Sequence, residues 1–242
     1  MKRFFVDEKL EVNEKIKIEG IEHNHIKNVM RMKVGDEIIL VCGDEFDYYA
    51  TIVSISKGDT EVFVHSKLDN ENNPKANLTV FQALVKSDNM SLIVQKLTEL
   101  GVKTFVPFES EFITSKDKLG KVHKLQEISN QSIKQCKRSI PMKVEDIISF
   151  SKLVEKVSEY DIVLFANETE KSLDLSSLDI QKDSNTAIII GSEGGFSCSE
   201  VEKLISAGAK SISLGKRILR AETASIALSS VIICKLGEWD CE

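Results

Sequence analysis

Residues 187–233 read AIIIGSEGGFSCSEVEKLISAGAKSISLGKRILRAETASIALSSVII. Residues 187–190 are a short apolar run, the pattern of a strand buried on both faces of a parallel sheet. The run stops at Gly191-Ser192-Glu193-Gly194-Gly195, where the backbone can turn tightly and lie close to a ligand. Ser197 and Glu200 then form an S-x-x-E capping box that starts a helix. Val201, Leu204 and Ile205 give that helix one apolar face, and Gly208 ends it. The pattern predicts a second strand over 211–214, a loop over 215–220 and a closing helix over 221–236. Two glycine-bearing loops thus leave the same ends of two parallel strands, where open α/β sheets bind ligands. The G-x-x-G-G spacing is neither a dinucleotide fingerprint nor a phosphate loop, since no G-K-[ST] follows. Spacing alone leaves a small-molecule cradle and an ordinary strand-to-helix turn equally open.

The alternation of strand and helix extends upstream. Residues 78–85 predict a strand, and Asp88 is placed to cap a helix with Met90, Ile93, Val94, Leu97 and Leu100 at helical spacing. Gly101 ends that helix, and 103–107 and 160–165 predict further strands. Lys96 and Glu99 lie one turn apart, most simply as a solvent-facing ion pair of small energy. A short helix is expected over 153–157, and 172–185 is polar and irregular. Together these elements predict a parallel α/β sheet. Residues 1–68 are different. Short β-rich runs separated by Gly35, Gly43 and Gly58 suggest a small barrel, interrupted by a helix over 21–32 with Ile26, Val29 and Met30 on one face. Residues 69–75, polar with one proline, read as a linker. The domains are therefore expected at 1–70 and 75–242. The final helix is apolar on most of its circumference, which predicts burial all round.

The chain has 242 residues and a formal charge of −6, so an attraction to nucleic acid would have to be local. Residues 114–143 supply one. Eight lysines and arginines stand there against Asp117 and Glu127, a local charge of +6. A charge run is often only a solvated helix face, but such an excess is also what phosphate contacts need. The five cysteines are scattered without a C-x-x-C pair, which argues for reduced thiols and against a disulfide framework or zinc site. His23 and His25 lack a third ligand nearby, so no metal is expected. The start of the chain does not read as a signal peptide, and the uncharged run 223–234 is too short to span a bilayer. A cytoplasmic protein is expected.

The wording of the two loops is more specific than their spacing. Residues 190–197 and 214–224 resemble the paired signature of the SPOUT methyltransferases, most closely the RsmE-type 16S rRNA (uracil-N3) methyltransferases. There the motifs read G-P-E-G-G and L-G-x-R-I-L-R-x-E-T-A. Ser192 stands in place of the proline. Residues 23–36 resemble the H-x-x-x-V-L-R-x-x-x-G-D segment of that family's PUA-like domain, and 95–102 its Q-K-x-T-E-L-G-V segment. Residues 135–141 resemble Q-[SC]-x-R before a proline, one residue shorter. Phe112 stands where relatives commonly place arginine.

The resemblance implies a PUA-like β-barrel followed by a SPOUT α/β domain with a trefoil knot, acting as a homodimer on 16S rRNA in the small ribosomal subunit. It implies S-adenosylmethionine as methyl donor and S-adenosylhomocysteine as product. The donor would be held by Phe165, Asn167 and Glu168 at one strand end, and by Ile190, Gly191, Glu193, Gly194 and Gly195 in the first loop. Leu214, Gly215, Ile218 and Leu219 would hold it from the second loop, with Arg220, Glu222, Thr223 and Ala224 at the helix start. Arg220 is expected to stabilise charge on the uracil oxygens, with Glu193 or Glu222 orienting it or taking the N3 proton. The rival for Arg220 is a structural ion pair with one of those glutamates. Arg3, Arg31, Lys86, Gln135 and Arg138 are the expected RNA contacts. The rival for Arg31 is a carboxylate partner on the barrel rim. Two other functions stay open: a SPOUT enzyme acting on ribose 2′-hydroxyls or tRNA, and a ribosome-assembly factor that binds RNA without turnover.

Overall fold

The strand that opens the decisive stretch, Thr186–Ile190, is fully buried and lies inside a parallel sheet. In the computed structural model, residues 1–113, 121–170 and 178–240 are described. They form two units, Met1–Asn73 with Ile133–Pro141, and Pro74–Ser132 with Met142–Glu242.

The first unit contains β1 (Lys2–Phe5), β2 (Lys15–Glu19), α1 (Gly20–Asn24), β3 (Glu37–Val41), β4 (Phe46–Ile55) and β5 (Asp59–Asp69). The sheet order is β1-β3-β4-β5-β2, and only β1 and β3 run parallel. Alternate residues point inward, as in β2, where Ile16 and Ile18 are buried between exposed lysines and Glu19. The helix expected over 21–32 is not continuous. Five α-helical residues pass into a π turn over His25–Val29, and Arg31 takes a left-handed backbone (φ 51°). The π turn has five-residue spacing, so the expected face is broken. Ile26 is fully buried while Val29 is 61% exposed.

Residues 69–75 are not a free linker throughout. Asn70 is buried and donates to Asp47 Oδ1 (2.6 Å) and the Lys137 carbonyl (2.9 Å). Asn73 Oδ1 accepts from the backbone N–H groups of Ser139 and Ile140, both at 3.0 Å. Ile133 is buried against Ile39 and Val41. These contacts place Ile133–Pro141 in the first unit.

The second unit contains β6 (Leu78–Ala83), α2 (Ser87–Leu100), β7 (Thr104–Glu109), most of α3 (Lys121–Cys136), β8 (Lys143–Val144) and β9 (Ile148–Ser149). Then follow α4 (Phe150–Lys156), β10 (Ile162–Ala166), β11 (Thr186–Ile190), α5 (Cys198–Ser206), β12 (Lys210–Ile212) and α6 (Ala221–Lys235). The order is β12-β10-β11-β6-β7-β8, with β9 also on β7, and every pairing is parallel. One apolar layer, with Leu97 and Leu228, covers one face of the sheet. A second, with Phe81, Phe165 and Leu204, covers the other.

The predicted capping box of α5 is present. Ser197 Oγ accepts from Glu200 N, and Glu200 Oε2 accepts from Ser197 N. Asp88 does not cap α2, because the helix begins a residue earlier, after Lys86. Gly101 ends α2 in the left-handed conformation as expected. The helix expected over 153–157 is the longer α4. The tail of α6 is not buried all round. Leu228, Ile232 and Ile233 are buried, but Ile226, Ala227 and Val231 are only half-buried. Residues 172–177 of the polar segment lie outside the described residues, as do Lys116, Lys118 and Cys241.

Candidate functional site

The C-terminal ends of β10, β11 and β12 open onto one cavity of about 540 Å³. Its walls come from three loops, the start of α2 and the start of α6. Behind β10, Asn167 fixes the first loop: its N–H donates to the Ile212 carbonyl (3.0 Å) and its amide to Ser211 Oγ (3.2 Å). Behind β11, the glycine loop folds back on itself. Gly195 N–H donates to the Ser192 carbonyl (3.0 Å), and the two residues form an isolated bridge. A side chain at Gly191 would meet the Gly195 backbone at 3.2–3.3 Å, so glycine is needed there for close approach. Gln82, fully buried at the end of β6, donates to the Gly191 carbonyl (3.2 Å) and anchors the start of the loop. Behind β12, Gly215 turns with φ 96°, and its N–H donates to Ser213 Oγ (3.2 Å). The chain then enters α6 at Arg220, whose side chain makes no cap bond. The first-turn N–H groups of α6 therefore border the cavity without a side-chain acceptor.

The structure brings most of the predicted cofactor residues together. Asn167, Glu168, Ile190, Gly191, Glu193 and Gly195 line the cavity, as do Leu214, Gly215, Ile218, Leu219, Arg220, Glu222 and Ala224. Three do not. Phe165 is fully buried in the sheet and reaches the wall only through Phe196, against which it packs edge-on at 5.9 Å. Gly194 faces Phe112 instead, and Thr223 lies exposed on α6 outside the wall.

Ser192, Lys216, Arg217 and Ala221, within the two loop stretches expected to hold the donor by their backbone, also line the cavity, as do the neighbouring Ala166 and Phe196, and Phe196 was not foreseen. Sequence reasoning also missed Asn89, which only the packing of α2 brings to the cavity. The lining mixes backbone and apolar groups with cations at Lys86, Lys216, Arg217 and Arg220 and carboxylates at Glu168, Glu193 and Glu222. That mixture suits a ligand with an apolar ring and a charged tail.

The predicted RNA contacts separate. Lys86 lines the cavity, and its N–H lies 3.5 Å from Glu193 Oε1. In the first unit Arg31 and Gln135 are exposed. Arg3 is not: its side chain is 8% exposed and forms a two-pronged ion pair with Asp47. The carboxylate partner weighed for Arg31 thus belongs to Arg3. Arg138 is also buried, with Nε donating to the Ile140 carbonyl (3.0 Å). Among the basic residues of 114–143, Lys134 pairs with Glu22 and Lys143 with Glu145. Lys96 and Glu99 form the expected surface pair at 2.9 Å. His23 is bonded to Thr60 (2.8 Å), and no group of three metal-ligating side chains occurs among the described residues.

An RNA methyltransferase domain model matches residues 71–233, and an RNA methyltransferase PUA domain model matches residues 19–63. The chain is 31% identical to the ribosomal RNA small subunit methyltransferase E of Bacillus subtilis, over 96% of both chains. It is 33% identical to that of Mesomycoplasma hyopneumoniae, over 94% of this chain and 97% of the other. Among solved structures it is similar to a ribosomal RNA small subunit methyltransferase E from Neisseria gonorrhoeae bound to S-adenosyl methionine. The TM-score is 0.91 at 26% identity, over 99% of each chain.

Proposed function

The chain belongs to the RNA methyltransferase family of the ribosomal RNA small subunit methyltransferase E enzymes, and from this premise we propose that it methylates N3 of a uridine in 16S ribosomal RNA, using S-adenosylmethionine. The observation that carries the reading is the cavity at the ends of β10, β11 and β12, built largely by the two loops that bear the family wording.

The residues fit such a donor. Glycine backbone at Gly191, Gly195 and Gly215 offers close approach, and Ile190, Phe196, Leu214 and Leu219 offer an apolar seat for a flat ring. When bound, the sulfonium donor supplies an already activated methyl group. The protein then has to align two reactants and manage one proton. Loss of the uracil N3 proton puts negative charge on the flanking carbonyl oxygens. Arg220, exposed at the cavity wall, is the group that stabilises it. Glu193 or Glu222, in the same wall, takes the proton or orients Arg220. N3 is occupied in a Watson–Crick pair, so the target base must be single-stranded or flipped.

Residues 1–70 are assigned to RNA binding through the exposed Arg31, joined by the exposed Gln135 on the segment Ile133–Pro141 that belongs to the same unit, with Lys86 contributing from the catalytic domain, 75–242. The passage from β12 to α6, which packs on β6, β11 and α2, is the part of the chain assigned to the trefoil knot. The half-buried Ile226, Ala227 and Val231 on α6 are assigned to a homodimer contact. No described helix is long and apolar enough to cross a membrane. The ribosomal substrate of this reading supports a cytoplasmic location.

The test is incubation with labelled S-adenosylmethionine and small ribosomal subunits from a strain lacking the gene, followed by digestion and mapping. Label in 3-methyluridine is expected. Label in 2′-O-methyl nucleosides, in tRNA or nowhere overturns the proposal.

A further inference from the structure

Ser192 stands where the family motif has proline, and it is almost fully buried. Its hydroxyl donates to the Phe112 carbonyl (2.9 Å), and Gly194 N–H lies 3.4 Å from the same Oγ. Phe112 is not part of the cavity wall. Two further contacts join the same segments. Phe112 packs directly over Gly194, so closely that a Cβ at Gly194 would sit 2.8 Å from Phe112 Cβ. Glu111 N–H donates to Glu200 Oε1 (2.9 Å), while the other oxygen of Glu200 closes the capping box. The segment after β7 is thus fastened across the glycine loop.

We propose that Ser192 is a positioning residue: its bond to Phe112 holds the glycine loop in the shape that receives the methyl donor. The inference rests on the proposed use of this cavity for S-adenosylmethionine. A proline would stiffen the loop by restricting its own φ in every conformation. Serine leaves φ free, and the hydroxyl bond supplies the restraint from outside. Without it, the loop samples shapes that cannot bind, and the apparent dissociation constant rises by the inverse of the competent fraction.

The experiment uses the full chain, calorimetric titration with S-adenosylhomocysteine, and steady-state kinetics. Losing the one hydrogen bond that the buried Ser192 hydroxyl donates predicts that Ser192→Ala weakens binding about tenfold. KM for S-adenosylmethionine should rise in parallel, with kcat and KM for RNA within about twofold of wild type. A merely structural loss would instead lower the active fraction and leave KM unchanged. Should Ser192→Ala not fold, Gly194→Ala replaces it. That variant keeps the hydroxyl but pushes Phe112 off the loop, and it should shift affinity the same way. Unchanged affinity in the folded variant, or a loss confined to kcat, overturns the proposal. Failure of the wild-type protein to bind S-adenosylhomocysteine would count against the cofactor reading instead.

Discussion

Replacing Gly191 by alanine tests whether the glycine loop is the cofactor seat. An added Cβ would meet Gly195 C at 3.2 Å and its Cα and O at 3.3 Å. Carbon contacts normally sit at about 3.5–4.0 Å, so the loop must open by a few tenths of an ångström. The obstacle is backbone, which cannot rotate away as a side chain can. Gly195 is also tied to Ser192 by the bridge, so the displacement spreads through the loop. Overpacking of this kind costs about 1–3 kcal/mol. If the loop carries the ligand, most of that cost appears as lost affinity, roughly tenfold to a hundredfold. Isothermal titration with S-adenosylhomocysteine measures it, and a thermal melt of the unliganded protein measures how much appears as stability. Gly208→Ala, outside the cavity, is the control: nothing lies within 4 Å of the added Cβ, and its φ of 101° costs a non-glycine residue about 1–2 kcal/mol by strain alone. Gly191→Ala binding as tightly as wild type would refute the assignment of the loop.

Arg220→Ala should lower methyl transfer by about a hundredfold or more while cofactor binding stays measurable by calorimetry; retained turnover would remove Arg220 from the chemistry. Asp47→Ala leaves the buried guanidinium of Arg3 without its partner, and a loss of about 3–5 kcal/mol in urea denaturation is expected. Hydrogen bonds from Thr51 and then from His65 hold the Glu37 carboxyl below its usual range. A depressed carboxylate contributes stability that is present above its unfolded pKa and lost as pH falls through the folded one. Glu37→Gln should therefore lower the melting temperature slightly at pH 7 and converge with wild type as pH falls below about 4.5, which flattens the acid limb of the profile.

Reading the chain in order recovered features that short-range physics decides. The Ser197–Glu200 box spans three residues, Gly101 ends a helix by its own φ, and the apolar run into Gly191 marks a buried strand. Such features need only neighbours in sequence, so their signal is complete within a window. The cavity was largely legible for a related reason. Its two main walls are continuous loops, and naming a loop names most of its residues.

The failures share the opposite property. Nothing near Arg3 in sequence announces Asp47, which lies 44 residues away and becomes its partner only through the pairing of β1, β3 and β4. Ser192 meets Phe112 across 80 residues, and Asn89 enters the cavity because α2 packs against α6. Asn70 and Asn73 look like linker residues until Ser139 and Ile140 arrive to be bonded. The sequence by itself determined the two-part plan, the parallel sheet and which loops line the cavity. Tertiary structure decided which charges stay exposed and which are buried in pairs. A side chain's partner depends on strand register and helix packing, and those depend on burial summed over the whole chain rather than on any local pattern.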